Sequence, residues 1–178
     1  MPITTERLLL RRWESDDIEP YAVLCRDPEV MRWIGDGASR SRADCVTAIA
    51  GFEACWDANG FGLFAVETLD TGTFIGFAGL AIPEFLPEVM PAVEIGWRLA
   101  RSSWGRGYAT EAARAALAFG FEQCRLDRII SIHQVGNDAS GRIMRKLGMR
   151  PSLETTDPSC GRAVRVYEAR VTERPGSP

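Results

Sequence analysis

A Gly-x-Gly set between a strand and an amphipathic helix constrains this chain more than any other feature. Val93-Glu94-Ile95-Gly96-Trp97-Arg98-Leu99 reads as a strand, and Trp104-Gly105-Arg106-Gly107-Tyr108-Ala109-Thr110-Glu111-Ala112 leads from it into a helix. Apolar or small residues then fall at 109, 112, 113, 116, 117, 120, 121 and 124, the spacing of one buried helical face. Two glycines at the mouth of a helix let the backbone approach a ligand while several N–H groups stay unpaired. The helix dipole adds partial positive charge there, which suits a phosphate or pyrophosphate.

A dinucleotide-binding fingerprint begins the same way, but needs Gly or Ala three residues after its second Gly, where this chain has Thr110. The motif also lies past the middle of the chain, behind two or three apparent antiparallel strands, rather than opening a run of parallel units. A second strand–helix unit follows. Arg128-Ile129-Ile130-Ser131-Ile132-His133 reads as a strand, and Asn137-Asp138-Ala139-Ser140-Gly141-Arg142-Ile143-Met144-Arg145-Lys146-Leu147-Gly148-Met149 as a helix. Asn137 or Asp138 suits the N-cap, Ala139, Ile143, Met144 and Leu147 form an apolar stripe, and Gly148 suits a left-handed C-terminal position with Met149 packing back on Met144.

The paired units resemble the GNAT superfamily of acetyl-CoA-dependent N-acetyltransferases. The family's phosphate motif, Gln/Arg-x-x-Gly-x-Gly/Ala, falls on Trp104 to Ala109, with Trp in the Gln/Arg place. The Trp-Gly-x-Gly-Tyr-Ala-Thr-Glu-Ala form, the later Asn-x-x-Ser and Lys-Leu-Gly-Met are similar to the RimJ/RimL branch, as are Thr5 to Arg11 and Asp27-Pro28-Glu29-Val30-Met31. The likeness covers nearly all of residues 3–171. It implies a single-domain α/β fold of the α+β type: a mixed, mostly antiparallel central sheet flanked by helices, with a splayed strand pair at the cofactor cleft. A homodimer is usual among similar proteins.

Size and composition agree. A chain of 178 residues, 46% hydrophobic, builds one domain with a sizeable core, taken as 1–172 with a flexible tail at 173–178. A net charge of −3 argues against a nucleic-acid surface. The apolar runs are too short to span a bilayer, and no signal-peptide pattern opens the chain. Five scattered cysteines and one histidine support neither a disulfide framework nor a metal site, which points to a reducing cytoplasm. The remaining pattern gives strands at 7–12, 61–68, 73–82 and 163–171, a helix capped by Ser15, an amphipathic helix at 41–58, and a proline-rich loop at 83–91.

Moving an acetyl group from a thioester to an amine needs little covalent help, because the thioester is already activated. An alkyl amine with a pKa of ~8–10.4 must still lose a proton near neutrality. The resemblance implies that the strand 93–99 pairs with the pantetheine arm, with Leu99 nearest the phosphate loop. It also places the N–H groups of Arg106, Gly107, Tyr108, Ala109 and Thr110 on the pyrophosphate, beside Trp104 and Gly105. Arg101 and Arg106 either add charge there or are solvated surface arginines.

Glu94 is the candidate base: a carboxylate between Val93 and Ile95 is part buried, which raises its pKa. The alternative is a strand carboxylate facing water or an arginine. His133 is the other base candidate or a structural histidine. By resemblance Asn137 contacts the cofactor, and the family's tyrosine seven residues later is here Met144, which cannot donate a proton. Ser140 then resembles the serine near the sulfur in RimL-like proteins; otherwise it is a first-turn cap. Tyr108 and Tyr167 are aromatic alternatives that read as packing residues. Loop 83–91, with Glu84 and Glu88, and the segment 33–41 flank the acceptor groove by analogy. The sequence thus points to direct acetyl transfer from acetyl-CoA to a primary amine, a protein N-terminus or a small molecule. The alternative is a module that binds acetyl-CoA without turnover.

Overall fold

The computed structural model describes residues 2–171. The domain expected over 1–172 falls within that range but for its first and last residues; the tail expected at 173–178 lies outside the described residues. Eight strands form one sheet: β1 Ile3–Thr4, β2 Leu8–Arg11, β3 Leu63–Thr68, β4 Phe74–Ala81, β5 Glu94–Leu99, β6 Arg128–Gln134, β7 Arg150–Thr156 and β8 Ala163–Arg170. Their order is β1-β2-β3-β4-β5-β6-β8-β7, and every neighbouring pair is antiparallel except β5 with β6. The α-helices are α1 Ile18–Arg26, α2 Pro28–Met31, α3 Arg42–Asn59, α4 Tyr108–Glu122 and α5 Asp138–Lys146.

Alternation along β3 explains the layering. Leu63 and Ala65 join Tyr21, Leu24, Cys25, Cys45 and Ile49 in the core under α1 and α3, whereas Phe64 and Val66 join Leu99 and Ala112 under α4. A strand covered on both faces has no polar side, which is why 63–66 reads as an unbroken apolar run. Helix α4 buries Ala112, Ala113, Ala116, Leu117 and Gly120, the face its spacing predicts. At Gly120 a Cβ would stand 2.6 Å from Ile129 Cδ1, so glycine lets the helix lie close on the sheet.

The long helix α3 starts as its sequence suggests: Ser41 and Asp44 cap each other's backbone, and Gly60 ends it at φ +72°. Ser15 does not cap α1. Asp17 instead accepts the Glu14 N–H at 2.8 Å and grips Arg11, so a short 3₁₀ turn at Ser15–Asp17 comes first. Loop 83–91 also carries a 3₁₀ turn, Pro87–Val89. Strands β1 and β7 are additions to the sequence reading. β7 is a mostly exposed edge strand with Pro151 near its start, so it lacks an alternating apolar pattern.

Candidate functional site

The site is a seam in the sheet. The Ala100 N–H bonds Ile75 O at 2.8 Å, and antiparallel alternation from that pair turns the amides and carbonyls of Leu99, Trp97 and Ile95 toward β6. β6 meets them only once. The Ile130 N–H bonds Val93 O at 2.9 Å, giving the single register pair Glu94–Ile130. One step on, Ile95 O is taken by the Ser131 hydroxyl at 2.8 Å instead of by the β6 backbone. Beyond it the strands part, leaving the Trp97 backbone and the Leu99 N–H facing the gap. Leu99 O accepts from Trp104 Nε1 at 2.8 Å, so Trp104 ties the glycine loop to the strand end and offers a ligand only its ring.

At the loop, Gly105 and Gly107 sit at φ +75° and +83°, a region side chains avoid. The Glu111 N–H, bonded to Gly107 O at 3.0 Å, closes the first turn of α4, so the N–H groups of Tyr108, Ala109 and Thr110 precede the helical ladder. A brace from the turn between β1 and β2 holds this corner. Arg7 Nη1 donates to Arg106 O at 3.0 Å, Arg7 Nε to Glu111 at 2.8 Å, and the Thr5 hydroxyl to Glu111 at 2.6 Å. Arg7 also lies over the Tyr108 ring, which occupies one face of it. Arg101 and Arg106 are exposed.

At the second corner Asn137 caps α5, its Oδ1 accepting the Ser140 N–H at 3.3 Å, so the cap role falls to Asn137 and not to Ser140. His133 Nδ1 contacts Gln134 O at 2.9 Å, and burial pulls its pKa below the ordinary histidine value. A neutral ring facing a carbonyl donates from Nδ1, which leaves Nε2, buried and without a partner, as an acceptor. Met144 is 1% exposed and packs with Ile95 and Met149; Tyr167 packs on the His133 ring. Both are core residues.

One cavity of about 470 Å³ passes through the seam. Trp97, Ser131, His133, Asn137, Ser140 and Met144 line it on the α4–α5 side. Glu94, Arg98, Ile34, Phe52, Phe85 and Gln134 line it on the α1–α3 side. Glu94 is enclosed by protein yet keeps partial exposure at the cavity; burial pushes its pKa up to about 8, opposed by the Ile132 backbone N–H. Glu84 is not among the lining residues, and Glu88 is held by the Thr155 hydroxyl at 2.6 Å. The phosphate-type corner at 105–110 lies outside this cavity. Arg98 and Gln134 were not singled out by sequence. Arg98 shares a face of β5 with the base candidate, a signal that becomes useful only once the elements packed on that face are known.

Residues 7–150 match the family model of the acetyltransferase (GNAT) domain. The chain belongs to the GNAT acetyltransferase family. Among relatives, the uncharacterized N-acetyltransferase YnaD of Bacillus subtilis (strain 168) is 34% identical over 152 residues, 84% of this chain and 83% of that protein. A GNAT-family acetyltransferase structure from Bacillus anthracis matches with a TM-score of 0.79 at 27% identity, over 96% of this chain and 98% of that one. RimL, a ribosomal L7/L12 α-N-protein acetyltransferase solved with coenzyme A, shares the fold at a TM-score of 0.77 and 14% identity, over 96% and 98% of the two chains. This acetyltransferase therefore depends on acetyl-CoA, and its residues fit that molecule. A Cβ at Gly105 would meet nothing within 4 Å, so the loop is open, and the seam leaves strand-edge backbone free beside it.

Proposed function

We propose that this enzyme transfers an acetyl group directly from acetyl-CoA to a primary amine, with Glu94 as general base and no acetyl-enzyme intermediate. Acetyl-CoA supplies an activated thioester. The amides of residues 106–110 hold its diphosphate with the dipole of α4 behind them. The Trp97 N–H, aimed into the seam, is the donor for the thioester carbonyl oxygen. Glu94 takes the amine proton directly or through one water; a carboxylate raised to about 8 is matched to that task near neutral pH. Ser140 stands on the opposite wall, beside Asn137, and serves the departing sulfur. A thiol pKa near ~8.5 lets the thiolate leave with weak assistance, so a core methionine at 144 is no obstacle.

The observation that carries this reading is that Glu94 and the Asn137–Ser140 corner, 43 positions apart at Asn137, line one cavity at the point where the sheet opens. The acceptor is a small-molecule amine or a protein N-terminus. Release of free CoA with a panel of amines and peptides tests the proposal, with turnover expected on at least one. Tight acetyl-CoA binding with no turnover on any acceptor would instead make the protein a binding module.

A further inference from the structure

Arg98 is a guanidinium without an acid. None of the ion pairs among the described residues includes it. Its Nη1 reaches the Tyr21 hydroxyl at 3.3 Å and Cys25 Sγ at 3.7 Å, both weak contacts, and its Nε is buried with no partner. The Phe77 ring also lies against it, with Cζ 5.1 Å from the centroid. A guanidinium keeps its charge in a protein, and Arg98 is half-buried, so its charge is partly withdrawn from water without a counter-ion beside it.

Glu94, the acid on the same face of β5, stands four residues away and makes no ion pair with Arg98, and the other acids that line the two recesses are occupied. Asp44 is bound by the Ser41 hydroxyl and backbone at 2.7 and 2.8 Å. Asp157 holds the Ser159 hydroxyl and N–H at 2.6 and 2.8 Å. Arg40, the other cation here, is paired with Asp36 at 2.9 Å.

Position gives the missing anion a source. Arg98 lines both the catalytic cavity and a second recess of about 360 Å³ under α1 and α3, which share Ile34 and Phe52 as well. Glu94, Gly96 and Arg98 point to one face of β5, and a Cβ on Gly96 would meet nothing within 4 Å. An open floor thus runs from the base to the guanidinium, with Cα atoms about 13 Å apart at about 3.3 Å per residue.

We propose that Arg98 binds an oxyanion on the acceptor, so that the acceptor is a small amine with a carboxylate several bonds from its nitrogen. This rests on the reading of the cavity as the acceptor site. The probes are 6-aminohexanoate and n-hexylamine, which share a chain and an amine and differ in the anion. Wild-type enzyme is expected to favour the carboxylate at least tenfold in kcat/KM, mainly through KM. In Arg98→Met that ratio falls to near one, and Arg98→Lys keeps part of it. Taking the ratio within one variant cancels any loss of folded enzyme.

Calorimetric titration of the same two amines into the CoA-bound protein reads binding alone, with the same ranking expected. Absence of acetyl transfer to either amine leaves the titration to decide the role of Arg98, while the transfer reading stands or falls on the wider acceptor panel. A wild-type ratio at or below one, or one that Arg98→Met leaves intact, overturns the proposal.

Discussion

The two walls of the cavity are made in different ways. The α4–α5 wall and the adjoining phosphate corner come from two strand–turn–helix units, 94–122 and 128–146, and use backbone amides, a glycine loop and a helix cap. The α1–α3 wall draws six side chains from five places, β5 (Glu94, Arg98) and β6 (Gln134) together with Ile34, Phe52 and Phe85. In the proposed reading the first wall takes acetyl-CoA, largely through backbone amides. The second, in the same reading, takes the acceptor and is built from side chains.

The strongest way to break this contrast is Glu94→Gln, which touches chemistry on the acceptor wall alone. Turnover should fall about 10²–10³-fold, within the usual range for a general base, while acetyl-CoA affinity holds. The pH profile sharpens it. With a carboxyl raised to about 8, the wild-type rate climbs as pH rises through that value, because only the ionised form accepts a proton. The variant loses that limb. A stopped-time assay from pH 6 to 9.5 showing the same limb in both proteins would remove Glu94 from the role.

A smaller, opposite effect comes from the cofactor wall. At φ +83°, Gly107→Val strains the loop by about 1–2 kcal/mol, and the protein should fold but bind acetyl-CoA at least tenfold more weakly. Titration giving wild-type affinity would contradict a backbone grip at 106–110. The mildest change is Ser140→Ala, expected to lower turnover about threefold with acetyl-CoA affinity nearly unaltered; a loss of affinity without a change in turnover would make Ser140 a binding group only.

The same contrast explains how much could be read from the chain. Local rules sufficed for the seam's surroundings: Gly107 at the mouth of α4, the apolar face from Ala112 to Gly120, and Asn137 at the head of α5 all follow from neighbours within a few residues. Glu94 was legible because its apolar flanks forecast burial. Arg98 was not, since its meaning depends on Tyr21, Phe77 and an open Gly96 meeting in space. The Arg7–Glu111 brace spans 104 positions and leaves no local trace. Motif position points Trp104 at the cofactor, and the bond from its indole to Leu99 O is invisible without the turn that brings them together. β7 escaped because an exposed edge strand has no need of alternation.

A passage that opens on both faces of a sheet has two doors. Donor and acceptor can each enter without crossing the other's path, and neither needs to leave before its partner arrives. A bulky product tail lodged under α1 and α3 would block one door and leave the other free.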